Sequence, residues 1–167
     1  GGLATVSKEC HRRGMMCGLW LEPEMVSLNS YLYRKHPDWM LGDPTRKRHA
    51  VSRNQYFLDI TRDDVQDYLI STMKHLIQNA SVDYIKWDMN RHLSDIYSAN
   101  PEIMNMGEYQ HRYILALYRI QKALAVTFPN LFIENCASGG ARFDLGMLCY
   151  GSAIWTSDCS DPIERIP

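Results

Sequence analysis

The chain has 167 residues, 46% of them hydrophobic and 22% charged, with a formal net charge of −1. That balance describes an ordinary soluble globular protein and builds no strong long-range field, which argues against a nucleic-acid or membrane-surface partner. No apolar run approaches the roughly 18–20 residues of a membrane helix, no charged n-region with an apolar stretch behind it marks a signal peptide, and the one basic run, Arg46-Lys47-Arg48-His49, reads as a solvated loop. The five cysteines, Cys10, Cys17, Cys136, Cys149 and Cys159, cannot all pair with one another, and no Cys-x-x-Cys occurs. Free thiols in a reducing cytoplasm therefore fit better than a disulfide framework or a zinc site.

In chain order, residues 3–13 read as a helix closed by Gly14, and Met15–Leu21 as a buried strand. A long segment with few periodic features follows from Glu22 to Asp59, and a connection of that length in a compact domain is more often functional than incidental. Thr61 is the expected N-cap of the next helix, with Asp63 and Asp64 on the positive end of its dipole. Val65, Tyr68, Leu69, Thr72 and Leu76 form the expected buried face. A strand is expected over Val82–Trp87 and a helix from Gly107 to Thr127, with Tyr113, Leu117, Ile120 and Leu124 on one face and Pro129 ending it. A short strand at Leu131–Ile133, a helical stretch at Ala141–Leu148 and a strand at Ser152–Thr156 complete the pattern.

Helices alternating with near-continuous apolar strands imply an α/β fold built on a parallel sheet. An open doubly wound sheet and an eight-stranded barrel both satisfy it, and acidic groups at the carboxyl ends of strands favour the barrel. Four strands make only half of one, and a full barrel needs roughly 250 residues. The expectation is a partial (β/α)8 TIM barrel of about four central β/α units, with residues 1–167 a fragment of a catalytic domain.

Two carboxylates stand where short apolar runs end: Asp88 in Asp83-Tyr84-Ile85-Lys86-Trp87-Asp88 and Asp158 in Ala153-Ile154-Trp155-Thr156-Ser157-Asp158. Such a pair can cleave a glycosidic bond, one as nucleophile and one as proton donor. Lys86 lies two positions from Asp88 and so on the same strand face, where an ammonium would keep the carboxylate ionised. Repulsion between neighbouring carboxylates would raise the pKa of one, as a general acid requires. Asp161 rivals Asp158, its alternative role being to cap the turn before Pro162. Trp20 is a candidate sugar platform, and Ser138-Gly139-Gly140 offers free backbone N–H groups.

Gly18-Leu19-Trp20-Leu21-Glu22-Pro23-Glu24-Met25-Val26, Tyr84-Ile85-Lys86-Trp87-Asp88-Met89-Asn90-Arg91, Glu134-Asn135-Cys136-Ala137-Ser138-Gly139-Gly140-Ala141-Arg142-Phe143-Asp144 and Trp155-Thr156-Ser157-Asp158 together resemble glycoside hydrolase family 36, the microbial α-galactosidases. The resemblance implies a (β/α)8 domain that hydrolyses terminal α-galactosides of the melibiose and raffinose type with retention, using no metal or other cofactor. It places Asp88 as nucleophile and Asp158, rather than Asp161, as acid/base. Trp20, Arg53, Lys86, Cys136, Ser138 and Gly139 fall where the family lines its galactose pocket. It also implies a homo-oligomeric full-length enzyme, and absent from this chain are the N-terminal β-sandwich, the first barrel strands with an aspartate pair for galactose hydroxyls, and the C-terminal part. The family's Asp-Asn-Thr-Asp-Ala here reads Asp158-Cys159-Ser160-Asp161-Pro162.

A retaining pair should lie roughly 5–5.5 Å apart. Two alternatives use the same residues: a metal-dependent barrel enzyme in which Glu22, Asp88, Glu134 and Asp158 ring a divalent cation, and a non-catalytic galactoside-binding protein or inactive fragment.

Overall fold

A computed structural model describes residues 2–43, 45 and 52–166; the basic run 46–49 lies outside them. Helix α1 (Leu3–Arg12) leads to strand β1 (Gly18–Leu21). The segment read as featureless holds strand β2 (Met25–Ser27), helix α2 (Tyr31–Lys35), a 3-10 turn at Pro37–Trp39 and strand β3 (Gln55–Phe57), with β2 and β3 paired antiparallel. Then come α3 (Asp63–Ala80), β4 (Tyr84–Asp88), α4 (Tyr109–Thr127), β5 (Phe132–Cys136), α5 (Leu145–Leu148) and β6 (Ala153–Ile154).

The main sheet is parallel in the order β1-β4-β5-β6, so neighbours follow the chain without reversal. A doubly wound sheet reverses at a switch point; a barrel does not. The opposite faces agree with this. Ile85, Trp87 and Ile133 are buried in one core with Val65, Leu69 and Met73 of α3 and Leu117, Ile120 and Leu124 of α4. The other face carries Trp20, Tyr84, Lys86 and Glu134, none of them fully buried, with Asp88 and Cys136 buried at its carboxyl end. The chain is an arc of barrel, with helices outside and a polar inner face.

The expected buried face of α4 is observed. That of α3 is turned by about one residue: Val65, Leu69, Met73, Ile77 and Ala80 are buried, while Tyr68 and Thr72 are exposed. Thr61 is not the N-cap. Arg62 takes that position without a side-chain bond, and the Thr61 hydroxyl donates to Asp59 Oδ1 at 2.5 Å. Met15 and Met16 lie outside β1 and are exposed, and β1 itself is only half-buried because it is the sheet's edge. Gly18 has no room for a side chain, since a Cβ there would meet the Tyr84 ring at 2.7 Å.

On the core side, Glu24 is fully buried beneath this arc. It receives both arms of the Arg142 guanidinium, at 2.7 and 2.6 Å, the Trp87 indole N–H at 2.9 Å and the Tyr113 hydroxyl. Burial alone would raise its pKa, but the guanidinium and the other donors outweigh that and keep it below the usual range. The pair ties the end of β1 to the loop after β5.

Candidate active site

Strand register assembles the inner face. Trp20, Lys86 and Glu134 are aligned across β1, β4 and β5, and Asp88 is aligned with Cys136 one step further toward the carboxyl ends. In a parallel sheet, partners in register point to the same side. Four of the expected site residues therefore share one surface: Trp20, Lys86, Asp88 and Cys136.

Asp88 is 5% exposed. Its Oδ2 accepts the Trp20 indole N–H at 2.9 Å and the Asn90 amide at 2.8 Å, while Oδ1 is buried without a hydrogen-bond partner. Burial is the largest influence and would raise the pKa. Donations from Asn90 and Trp20, with the adjoining Cys136 thiol and the Met89 N–H, together outweigh it and hold the carboxyl below its ordinary value. Lys86 is not the partner expected for it. Its ammonium pairs across the strands with Glu134 at 3.4 Å and lies 4.2 Å over the Trp155 ring. The largest influences favouring the charged form of Asp88 are neutral donors. Burial pushes the Cys136 thiol up, with Asp88 adding to the effect, so it presents a neutral S–H.

Asp158 is exposed beyond β6 and accepts the Trp155 indole N–H at 2.8 Å. Its main chain is packed against the turn after β5: a Cβ on Gly139 would meet Ser157 Cα at 3.2 Å and Asp158 N at 3.7 Å, and one on Gly140 would meet Thr156 O at 2.9 Å. Ser138 and Gly139 both adopt positive φ there. Trp155 thus links the two halves, its ring under Lys86 and its N–H on Asp158. Asp161 accepts the Ile163 N–H at 2.8 Å, the turn-capping role that was the alternative to catalysis.

Arg53 is not on these strands; it is exposed in a two-residue turn with Asn54. Both residues have φ 57°, and Gln55 N donates to Ser52 O across the turn at 3.0 Å. Two consecutive non-glycine residues at positive φ are uncommon in such a connection. The turn delivers Gln55, whose amide reaches Glu22 Oε2 at 2.9 Å. Asn90 donates to Glu22 Oε1 at 3.0 Å as well as to Asp88. Neither Gln55 nor Asn90 was singled out from sequence, although Asn90 lies inside the motif Tyr84–Arg91.

The carboxylate ring required by the metal alternative is not assembled. Among the described residues no three His, Cys, Asp or Glu side chains gather closely enough to hold a cation. Glu22 and Asp88 instead share an amide, and Glu134 pairs with Lys86.

The melibiase family model matches residues 1–167. The chain belongs to the melibiase family. α-Galactosidase AgaA of Geobacillus stearothermophilus is 47% identical over 165 residues, 99% of this chain and 22% of that protein. α-Galactosidase 2 of Pediococcus pentosaceus is 45% identical over 164 residues, 98% of this chain and 23% of that one. Among solved structures, the Lactobacillus brevis α-galactosidase matches with a TM-score of 0.93 at 45% identity, covering 98% of this chain and 22% of its own. AgaA, a glycoside hydrolase family 36 α-galactosidase, matches at 0.92 and 47%, covering 99% of this chain and 23% of its own. This melibiase chain therefore spans less than a quarter of the length of each of these relatives, and the resemblance read from the four motifs and the family match agree.

Proposed function

We propose that this chain is the central part of the catalytic barrel of a retaining α-galactosidase that acts on terminal α-galactosyl groups of raffinose-type oligosaccharides. The observation that carries the proposal is Asp88: a carboxylate held below its ordinary pKa at the carboxyl end of a central strand, on the inner face. Asp88 attacks the anomeric carbon. Asp158 protonates the departing glycosidic oxygen, then takes a proton from the water that hydrolyses the galactosyl ester. Trp20, Lys86, Cys136, Ser138 and Gly139 line the sugar site, and Arg53 closes it from the hairpin turn.

Two crystal structures of one relative support the assignment. G. stearothermophilus AgaA variants were crystallised with raffinose and with stachyose, and besides a shared substitution each replaces one aspartate. Those two aspartates stand seventy positions apart in AgaA, the separation of Asp88 and Asp158 here. The proposal includes a cytoplasmic, homo-oligomeric enzyme without a cofactor, in which residues 1–167 are flanked by earlier barrel strands behind an N-terminal β-sandwich and by a C-terminal part. All five cysteines are free thiols, as a reducing compartment requires.

The test is proton NMR of a nitrophenyl α-galactoside treated with the protein expressed from its full coding sequence. The α-anomer of galactose should appear first and the β-anomer later by mutarotation. A β-anomer formed first would rule out retention, and intact substrate would end the proposal.

A further inference from the structure

Beside Asp88 lies a second carboxylate to which the reaction assigns no part. Glu22, directly beyond β1, has both oxygens engaged: Oε1 by Asn90 at 3.0 Å and Oε2 by Gln55 at 2.9 Å. The same Asn90 nitrogen donates to Asp88 Oδ2 at 2.8 Å. One NH₂ group thus gives one hydrogen to each of two carboxylates. Turning that amide over would set its carbonyl oxygen against two acceptor-only groups, so the carboxylate pair fixes which way Asn90 faces. Gln55 is oriented the same way at a visible cost, since its Oε1 is buried with no hydrogen-bond partner. The Gln55 main chain is in turn held by Arg91, which donates to its carbonyl at 2.8 Å.

We infer that Glu22 is a positioning residue of the active site: through Asn90 it sets the orientation of the Asp88 carboxylate, coupling the β2–β3 hairpin to the attacking oxygen. The inference rests on the proposed role of Asp88. Glu22 acts by making Asn90 a one-way donor. Asn90 contributes the largest of the hydrogen bonds that lower the Asp88 pKa. Among the described residues, the charged or titratable groups sharing the inner face around Asp88 are Tyr84 and Lys86 on its own strand, Glu22 just beyond β1, and Glu134 and Cys136 from β5. Of these, Glu134 and Lys86 pair with each other.

The experiment uses the protein from its full coding sequence, labelled with ¹⁵N-tryptophan. The Trp20 indole N–H donates to Asp88 and its resonance follows Asp88 titration, so this readout needs no turnover. Glu22→Gln has two opposing effects on the titration midpoint, since losing the neighbouring negative charge lowers it while a freed Asn90 raises it. The midpoint should therefore end about half a pH unit or more higher, relative to its parent, when Glu22→Gln is made in the native protein than when it is made in Asn90→Ala, where only the charge is lost. kcat on a nitrophenyl α-galactoside should fall about ten- to a hundredfold with KM nearly unchanged, the cost of a misplaced reacting atom. Asn90→Ala should itself raise the midpoint and reproduce the loss in kcat, and the double variant should be no worse than Asn90→Ala alone. Should Glu22→Gln unfold, Asn90→Ala carries the same readouts. Equal midpoint shifts on Glu22→Gln in the native and Asn90→Ala proteins, or losses that add in the double variant, would overturn the inference. Unequal midpoint shifts in a protein without activity on α-galactosides would uphold the coupling and sink only the proposed substrate.

Discussion

Asp88 and Asp158 each accept an indole N–H, at 2.9 and 2.8 Å, yet the two are held in opposite ways. Asp88 sits on a central strand, 5% exposed, with a second donor on the same oxygen. Asp158 stands on an exposed loop with its own neighbour three residues back as donor. A nucleophile must be ionised and pre-aimed, and both demands are met by burying it among donors. A group that trades protons with water and a leaving group must stay accessible. The contrast in burial follows the proposed division of labour.

The largest expected effect is Asp88→Asn, which should lower turnover on every α-galactoside by about three orders of magnitude or more, while circular dichroism stays native. Asp158→Asn should fall about 10²–10⁴-fold on raffinose, the range for losing a general acid. It should fall far less on a nitrophenyl galactoside, whose leaving group needs little protonation. Equal losses on both substrates would break the comparison. In stability rather than rate, Arg142→Met strands Glu24 in the core and should cost about 3–5 kcal/mol in urea unfolding.

The acid limit of stability has a definite sign. Glu24, Asp83 and Asp144 all have folded pKa values below their unfolded ones. Their stabilisation is complete above the unfolded values near pH 4 and is lost as pH falls through the depressed folded values. The unfolding midpoint should therefore be flat down to about pH 5 and drop below pH 4. Smallest are the indole donors. Trp20→Phe should cost about tenfold in kcat/KM and raise its acid limb, whereas Trp155→Phe, whose bond is solvent-exposed, should cost about threefold or less. The reverse order would mean that exposure is a poor guide to how firmly each carboxylate is held.

Periodicity shows where chains of contacts begin but not where they end. The strand-end position of Asp88 and the buried face of α4 are legible because each depends on a local repeat, whereas the strand expected to run to Thr156 stops at Ile154 and leaves Asp158 on a loop. Lys86 was assigned to the right face and the wrong partner, because its pairing with Glu134 depends on the register between β4 and β5. Glu24 and Arg142, 118 positions apart, carry no local signal that they meet. Gln55 and Asn90 look like ordinary loop polar residues until the hairpin returns to β1. The turn of α3 by one residue has a similar origin. Gln66 is drawn inward by the Arg119 guanidinium at 2.7 Å, while Tyr68 packs its ring edge-on against Trp39 at the helix margin. Amphipathic counting treats the first as polar and the second as core.

The seat of Asp158 consists largely of main chain. A methyl group on Gly140 would strike the Thr156 carbonyl at 2.9 Å, so two peptide segments lie against each other with nothing between them. Side chains after Asp158 take no part in that contact, and Cys159, Ser160, Asp161 and Pro162 are all exposed. The departure from the family's usual continuation therefore falls on side chains outside this main-chain contact, and the glycines opposite act as the mould for the segment that carries Asp158.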